Sequence, residues 1–136
     1  MGKLHLEVVT PEKVMVSQEV DIVVAPGTMG EFGVLEGHVP FLSGIEPGEL
    51  RFSSGSQTER FLVTTGFSEV SDNKVSVLVD AAEKATEIDS ERARKAMERA
   101  RERLDMARGS EDVDFLRAEA ALKRAIVRIR ISDKKI

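Results

Sequence analysis

The apolar repeat of this chain changes once, between residues 79 and 89, and that change limits what the two parts can become. Before it, the repeat is two. Leu4, Leu6 and Val8 alternate with Lys3, His5 and Glu7. Val20, Ile22 and Val24 alternate with Asp21 and Val23, and Val75, Val77 and Val79 alternate with Ser76 and Leu78. A repeat of two puts each set on one face of a strand. Shorter β-like runs lie at Val14–Val16, Leu50–Phe52, Phe61–Thr65 and Phe67–Ser71. Turn signals separate them: Thr10-Pro11, Pro26-Gly27, Pro47-Gly48, Ser53 to Ser56 and Ser71-Asp72-Asn73. Nine of the ten glycines, all four prolines and five of the six phenylalanines fall in this part. Many short, closely spaced strands predict an antiparallel sandwich or barrel.

From Asp89 onward the repeat is helical. Ala93, Ala96, Met97, Ala100, Leu104 and Ala107 follow three-and-four spacing and form a narrow, alanine-rich stripe that a partner helix can approach closely. Gly109 is a candidate C-terminal cap, and Asp112 or Asp114 a candidate N-cap for a second helix. In that helix Phe115, Leu122, Ile126 and Ile129 form one apolar row, with Leu116, Ala120, Val127 and Ile131 beside it. A short loop between two such helices predicts an antiparallel hairpin. So small a helical pair buries little by itself and must lean on the sandwich or on another protein, which suggests a mobile element.

The charge changes sign at the same place. Residues 1–88 carry 6 basic and 14 acidic side chains, a net −8; residues 89–136 carry 14 and 10, a net +4. Two pieces with different partners fit this asymmetry, as does a charged helical surface. The 136 residues suit one domain with an appendage, and no apolar run is long enough to span a bilayer. The N-terminus lacks a charged region followed by an apolar block, so a soluble cytoplasmic chain is expected. With no cysteine and only His5 and His38, no disulfide, zinc–thiolate or His-rich metal site is expected.

Few patterns carry chemistry. Neither a phosphate-binding G-x-x-x-x-G-K-[ST] loop nor a G-x-G-x-x-G is found. In the glycine-rich segment 30–42, Gly33 and Gly37 are read as letting the backbone turn and Pro40 as ending the turn. No serine or carboxylate stands at a recognisable catalytic spacing from His38, so His38 is not read as a general base. Asp89 reads as an N-cap, with Glu91 complementing the helix dipole, but a basic Arg92 in a first turn is unexplained. Arg124 and Arg128, four apart, share a helix face. The second helix is strongly basic; with no aromatic residue besides Phe115 of the apolar row to stack on bases, and in an acidic chain, nucleic acid is not the expected partner.

The stretch Gly30-Glu31-Phe32-Gly33-Val34-Leu35-Glu36-Gly37-His38-Val39-Pro40-Phe41-Leu42 resembles the signature of the epsilon subunit of bacterial F-type ATP synthases. Leu6 to Glu12, Val63 to Val70 and Phe115 to Arg128 also resemble that family, in the right order, so the likeness covers residues 3–131. Glu36 stands where the family usually has proline, so this turn lacks a fixed φ. The resemblance implies a sandwich of about ten antiparallel strands over residues 1–84, binding the gamma subunit and the c-ring. A regulatory helical hairpin would follow over 85–136. It implies a non-catalytic rotor-stalk subunit, peripheral on the cytoplasmic side of the bacterial plasma membrane, whose membrane association is indirect through the Fo sector.

By the same resemblance Glu31, Gly33 and His38 belong to the rotor interface, Glu31 toward the c-ring and His38 toward gamma. For Glu31 and His38 a purely structural role stays open. Ile88-Asp89-Ser90-Glu91-Arg92-Ala93 is similar to the I/L-D-x-x-R-A motif of ATP-binding epsilon subunits. It brings in Glu83, Ile88, Asp89, Arg92, Ala93, Arg124 and Arg128 as a regulatory ATP site, with no cofactor required. Guanidiniums converging from two helices suit a triphosphate, because each donates paired hydrogen bonds. Arg117, Lys123 and Arg130 are implied contacts to an acidic segment of the catalytic beta subunits when the hairpin opens. A free-standing nucleotide-sensing adaptor and an enzyme with its site on the sandwich are the competing classes.

Overall fold

The computed structural model describes residues 4–107 and 112–133 and divides into two compact units, Met1–Lys84 and Ala85–Ile136. The first unit holds ten strands: β1 Leu4–Val9, β2 Val14–Val20, β3 Ile22–Gly27, β4 Gly30–Val34, β5 Phe41–Ile45, β6 Gly48–Ser54, β7 Gln57–Val63, β8 Gly66–Ser71, β9 Lys74–Val79 and β10 Ala82–Lys84. They pair in the order β10-β7-β6-β3-β5-β8-β9-β1-β2, with β4 added on β3, and the sheet folds over as a sandwich. Leu4, Leu6 and Val8 are fully buried, as their alternation predicts, and Val75 and Val77 beside them are too. Each such side chain contributes about 1.5–3 kcal/mol on leaving water. Phe52 and Phe61 stack at 5.8 Å between ring centroids within the same core.

Two strand expectations need correction. The pairing of β1 with β9 is parallel, with Leu6 opposite Val75 and Val8 opposite Val77, while every other described pairing is antiparallel. Also, Val20, Ile22 and Val24 do not share a face. Val20, Val23 and Ala25 are buried, whereas Ile22 and Val24 are only half-buried. The chain breaks at Asp21, whose N–H donates to Ser53 O at 2.8 Å and whose carboxylate accepts the Gly55 N–H at 2.8 Å. A one-residue break shifts a period-two pattern to the opposite face.

The glycine-rich segment 30–42 is mostly strand. β4 and β5 flank a turn in which His38 N–H donates to Leu35 O at 3.1 Å. Gly37, at φ 82°, takes the left-handed position of a type II turn, so the corner closes with Glu36 in place of proline. Gly33 is not a turn residue: it sits in β4 opposite Val24, without positive φ.

The second unit begins with a 3₁₀ turn, Ala85–Glu87, and continues as α1 Ser90–Ala107 and α2 Asp112–Asp133. Asp89 caps α1 in full. Its carbonyl accepts the Ala93 N–H and its carboxylate the Arg92 N–H, both at 3.0 Å. Ala93 and Ala100 are buried and Ala96, Met97 and Leu104 half-buried, which is the predicted stripe. Small side chains on both helices allow close approach, with Ala118 and Ala125 buried on α2. Of the second expected row on α2, Val127 and Ile131 are buried, but Leu116 and Ala120 are exposed. Asp114 lies inside the first turn of α2 rather than at its cap. Gly109 and the side chains of Phe115 and Ala107 lie outside the described residues. No described helix is long and apolar enough to cross a membrane.

Candidate functional site

The hairpin places four guanidiniums along one groove. Arg99 and Arg103 of α1 and Arg124 and Arg128 of α2 line a cavity of about 190 Å³ together with Ala96, Ala100, Ala121 and Ala125. The cause is local. Four-residue spacing stacks each arginine pair on one face of its helix, and the alanines let the helices approach so that both pairs border the same space. Among the described residues no carboxylate pairs with Arg99, Arg103 or Arg124. A concave surface lined by methyl groups and paired guanidiniums suits an anion with several oxygens.

The structure brings together two of the seven sequence-predicted ATP residues, Arg124 and Arg128. Arg92 is exposed and does not line the groove; it precedes Arg99 by seven residues, about 10 Å along α1. Ile88 and Ala93 are buried packing residues, 3% and 4% exposed. Asp89 is engaged as the cap described above. Glu83 lies on β10 of the sandwich unit, opposite Leu62, whereas the other six belong to the hairpin unit. Arg99 and Arg103 were missed, although Arg92, Arg99 and Arg103 follow the seven-and-four spacing of one helix face.

The expected beta-contact residues Arg117, Lys123 and Arg130 are all exposed on α2. They occupy two faces. Lys123 and Arg130 are seven apart and align, whereas Arg117 aligns with Arg124, seven residues on.

On the sandwich, Glu31 of β4 is exposed and held by a fork from Arg51 of β6, with Nη1–H to Oε2 at 2.9 Å and Nη2–H to Oε1 at 3.1 Å. This carboxylate holds the Arg51 pKa above its ordinary value. His38 is half-buried; its Nδ1–H donates to Val39 O at 2.7 Å, and its ring meets Phe41 edge-on at 5.8 Å. Phe41 in turn meets Phe32 at 5.1 Å. Leu35, Val39 and Leu42 in and beside this loop are 58–69% exposed, a run of open apolar side chains of the kind that marks an interaction site, and Met29, 97% exposed, lies in the β3–β4 turn at the other end of β4. Asn73, read only as a turn signal, anchors the loop: its side-chain oxygen accepts the Gly37 N–H at 2.8 Å. Among the described residues no His, Asp or Glu group is arranged to hold a metal.

The fold is that of a two-part protein, a ten-strand β-sandwich followed in the chain by a helical hairpin with a cationic groove. Residues 3–85 match the family described as ATP synthase, Delta/Epsilon chain, beta-sandwich domain, and residues 86–133 the ATP synthase, Delta/Epsilon chain, long alpha-helix domain. The chain is 53% identical over 128 residues to the ATP synthase epsilon chain of Nitratidesulfovibrio vulgaris (strain DP4), covering 94% of each. It is 48% identical over 132 residues to that of Syntrophobacter fumaroxidans, covering 97% of each. The chain belongs to the epsilon-chain family of the ATP synthase, a non-catalytic subunit of the enzyme's central stalk. Its fold is also found in the Euglena gracilis mitochondrial ATP synthase OSCP/F1/c-ring structure, with a TM-score of 0.81, 24% identity and coverage of 93% of this chain and 79% of that one. The Tetrahymena thermophila mitochondrial central stalk/c-ring structure gives 0.64 and 19%, covering 97% and 95%.

Proposed function

We propose that this chain couples rotation to catalysis in a bacterial F-type ATP synthase, and that its hairpin senses ATP and restrains hydrolysis. The sandwich docks on the gamma subunit and the c-ring through the β4–β5 segment around Glu31 and His38. Support comes from the exposed apolar patch there and from the F1/c-ring assemblies whose chains share this fold. Chemistry and proton flow belong to the other subunits. The chain is peripheral on the cytoplasmic side of the plasma membrane and associates with it through the Fo sector.

The regulatory half of this reading is carried by the four-arginine groove. A triphosphate lying between α1 and α2 binds only while the helices are paired, so ATP stabilises the paired hairpin by mass action. When ATP is scarce the helices separate, and the exposed Lys123–Arg130 face and Arg117 meet an acidic segment of the beta subunits. Such contacts are salt-sensitive.

Calorimetric titration of the isolated chain with ATP tests this, with hydrogen exchange over residues 85–133 followed in parallel. Binding with new protection in α1 and α2 is expected. Arg99→Ala or Arg124→Ala is expected to weaken binding roughly tenfold, the loss of one charge-assisted contact. No heat at millimolar ATP would leave the groove without this ligand.

A further inference from the structure

Four charged side chains alternate across the outer face of the sandwich. Glu31 accepts the Arg51 fork, Arg51 also approaches Glu49 at 3.5 Å, and Arg60 donates to Glu49 at 2.8 and 2.9 Å. Register explains the order. Arg51 and Arg60 are directly opposite on β6 and β7, a like-charged pair that is unfavourable by itself. Glu49 bridges the two arginines on one side. On the other, Arg51 reaches across β3, where Val24 is opposite both Arg51 and Gly33, and grips Glu31 two residues from Gly33. Strands β4 and β6 both pair with β3, so this side-chain bridge spans it.

We propose that Arg51 is a positioning residue that fixes the Glu31 carboxylate in the orientation in which the sandwich presents it to the rotor ring. Unheld, a glutamate on an exposed strand samples several rotamers, and docking must freeze them. The fork holds both carboxylate oxygens, while Glu49 and Arg60 fix Arg51 from behind. Glu31 lies two residues from Met29, which is 97% exposed in the β3–β4 turn, so the oriented carboxylate stands close to an open apolar turn tip. The partner chemistry is a polar or cationic loop donating to a preorganised carboxylate. This rests on the reading in which Glu31 meets the c-ring.

The test measures affinity of the labelled chain for F1Fo depleted of this subunit, ATP-driven proton pumping by the rebuilt complex, and the Tm of each free variant. Glu31→Gln and Arg51→Ala are each expected to weaken assembly roughly tenfold, and together no more than either alone. Arg51→Lys rescues little, because an ammonium cannot hold both oxygens. The exchanged pair Glu31→Arg with Arg51→Glu separates the roles: it recovers part of the Tm through a reversed ion pair, with Glu49 now opposing the new carboxylate, but leaves assembly and pumping weak. Recovery of all three in the exchanged pair would make the bridge purely structural and overturn the proposal. So would normal assembly by Arg51→Ala where Glu31→Gln fails. Normal assembly by Glu31→Gln would remove the Glu31 docking reading itself, and the proposal with it.

Discussion

The side-chain oxygen of Asn73 accepts the N–H of Gly37 at 2.8 Å, joining the β8–β9 turn to the β4–β5 loop across 36 residues of sequence. The main-chain oxygen of Asn73 also accepts the His5 N–H at 2.9 Å. Asn73 is left-handed, φ 60°, a conformation asparagine tolerates better than most residues. One turn residue thus ties β1 and the β8–β9 turn to the loop that carries His38.

Two substitutions separate the contributions of Asn73. Asn73→Gly keeps the left-handed backbone and loses the side-chain contact, and it is expected to lower stability by about 1 kcal/mol. Asn73→Ala adds left-handed strain of about 1–2 kcal/mol. Hydrogen exchange at Gly37 and His38 should rise in both variants, while thermal unfolding ranks alanine below glycine. Equal Tm values would show that the backbone at Asn73 relaxes.

Gly66 is a packing requirement of the backbone. A Cβ there would overlap the Leu78 carbonyl oxygen and lie 2.7 Å from Val79 Cα, and Gly66 is opposite Val79 in the β8–β9 ladder. Gly66→Ala must push these strands apart, and a loss of about 3 kcal/mol or more is expected. Gly44→Ala is the control, since the nearest atoms to its Cβ belong to the Thr28 side chain, the closest at 2.9 Å. That side chain can rotate, so about 1 kcal/mol is expected. Urea midpoints for the two variants check the ranking.

The strands were legible where one face is buried without interruption. Leu4, Leu6 and Val8 satisfy that condition. Val20 to Val24 do not, because the break at Asp21 depends on hydrogen bonds to Ser53 and Gly55, more than 30 residues away. β4 and β5 show no clear two-residue repeat in the sequence because Gly30, Gly33 and Gly44 mask the alternation. On the hairpin, Asp89 was legible as a cap because capping is local. Arg99 and Arg103 had the right spacing, yet only the antiparallel pairing of α1 with α2 sets them beside Arg124 and Arg128. The parallel β1–β9 pairing is equally non-local, since it joins the two ends of the sandwich.

Asp21 makes stability depend on acid. The Gly55 N–H bonded to its carboxylate holds the Asp21 pKa below the ordinary 3.8. A depressed carboxylate pKa stabilises the fold above the unfolded-state value, and this is lost as pH falls through the folded value. Asp21→Asn removes the titration. The Tm gap between the parent and Asp21→Asn should therefore be widest near neutral pH and narrow as the pH falls below the ordinary carboxylate range. A gap constant across that range would assign the acid limb to other groups.

Asp89 stands in both readings of the hairpin, as helix cap and as part of the ATP motif, and two substitutions tell these apart. Asp89→Ala removes the acceptor for the Arg92 N–H and is expected to lower hairpin stability by about 1 kcal/mol. Asp89→Asn keeps an acceptor of similar capping strength but removes the negative charge, which also complements the α1 dipole. If Asp89 acts on ATP only by capping α1, helicity and ATP affinity fall together in the alanine variant, and both return in the asparagine variant. If the carboxylate itself accepts from the nucleotide, asparagine restores helicity but not affinity. The structure favours the first outcome, because the Asp89 carboxylate holds Arg92 N–H at 3.0 Å and the arginine groove begins two turns further along α1, at Ala96 and Arg99. Circular dichroism and calorimetry on the same samples decide between them.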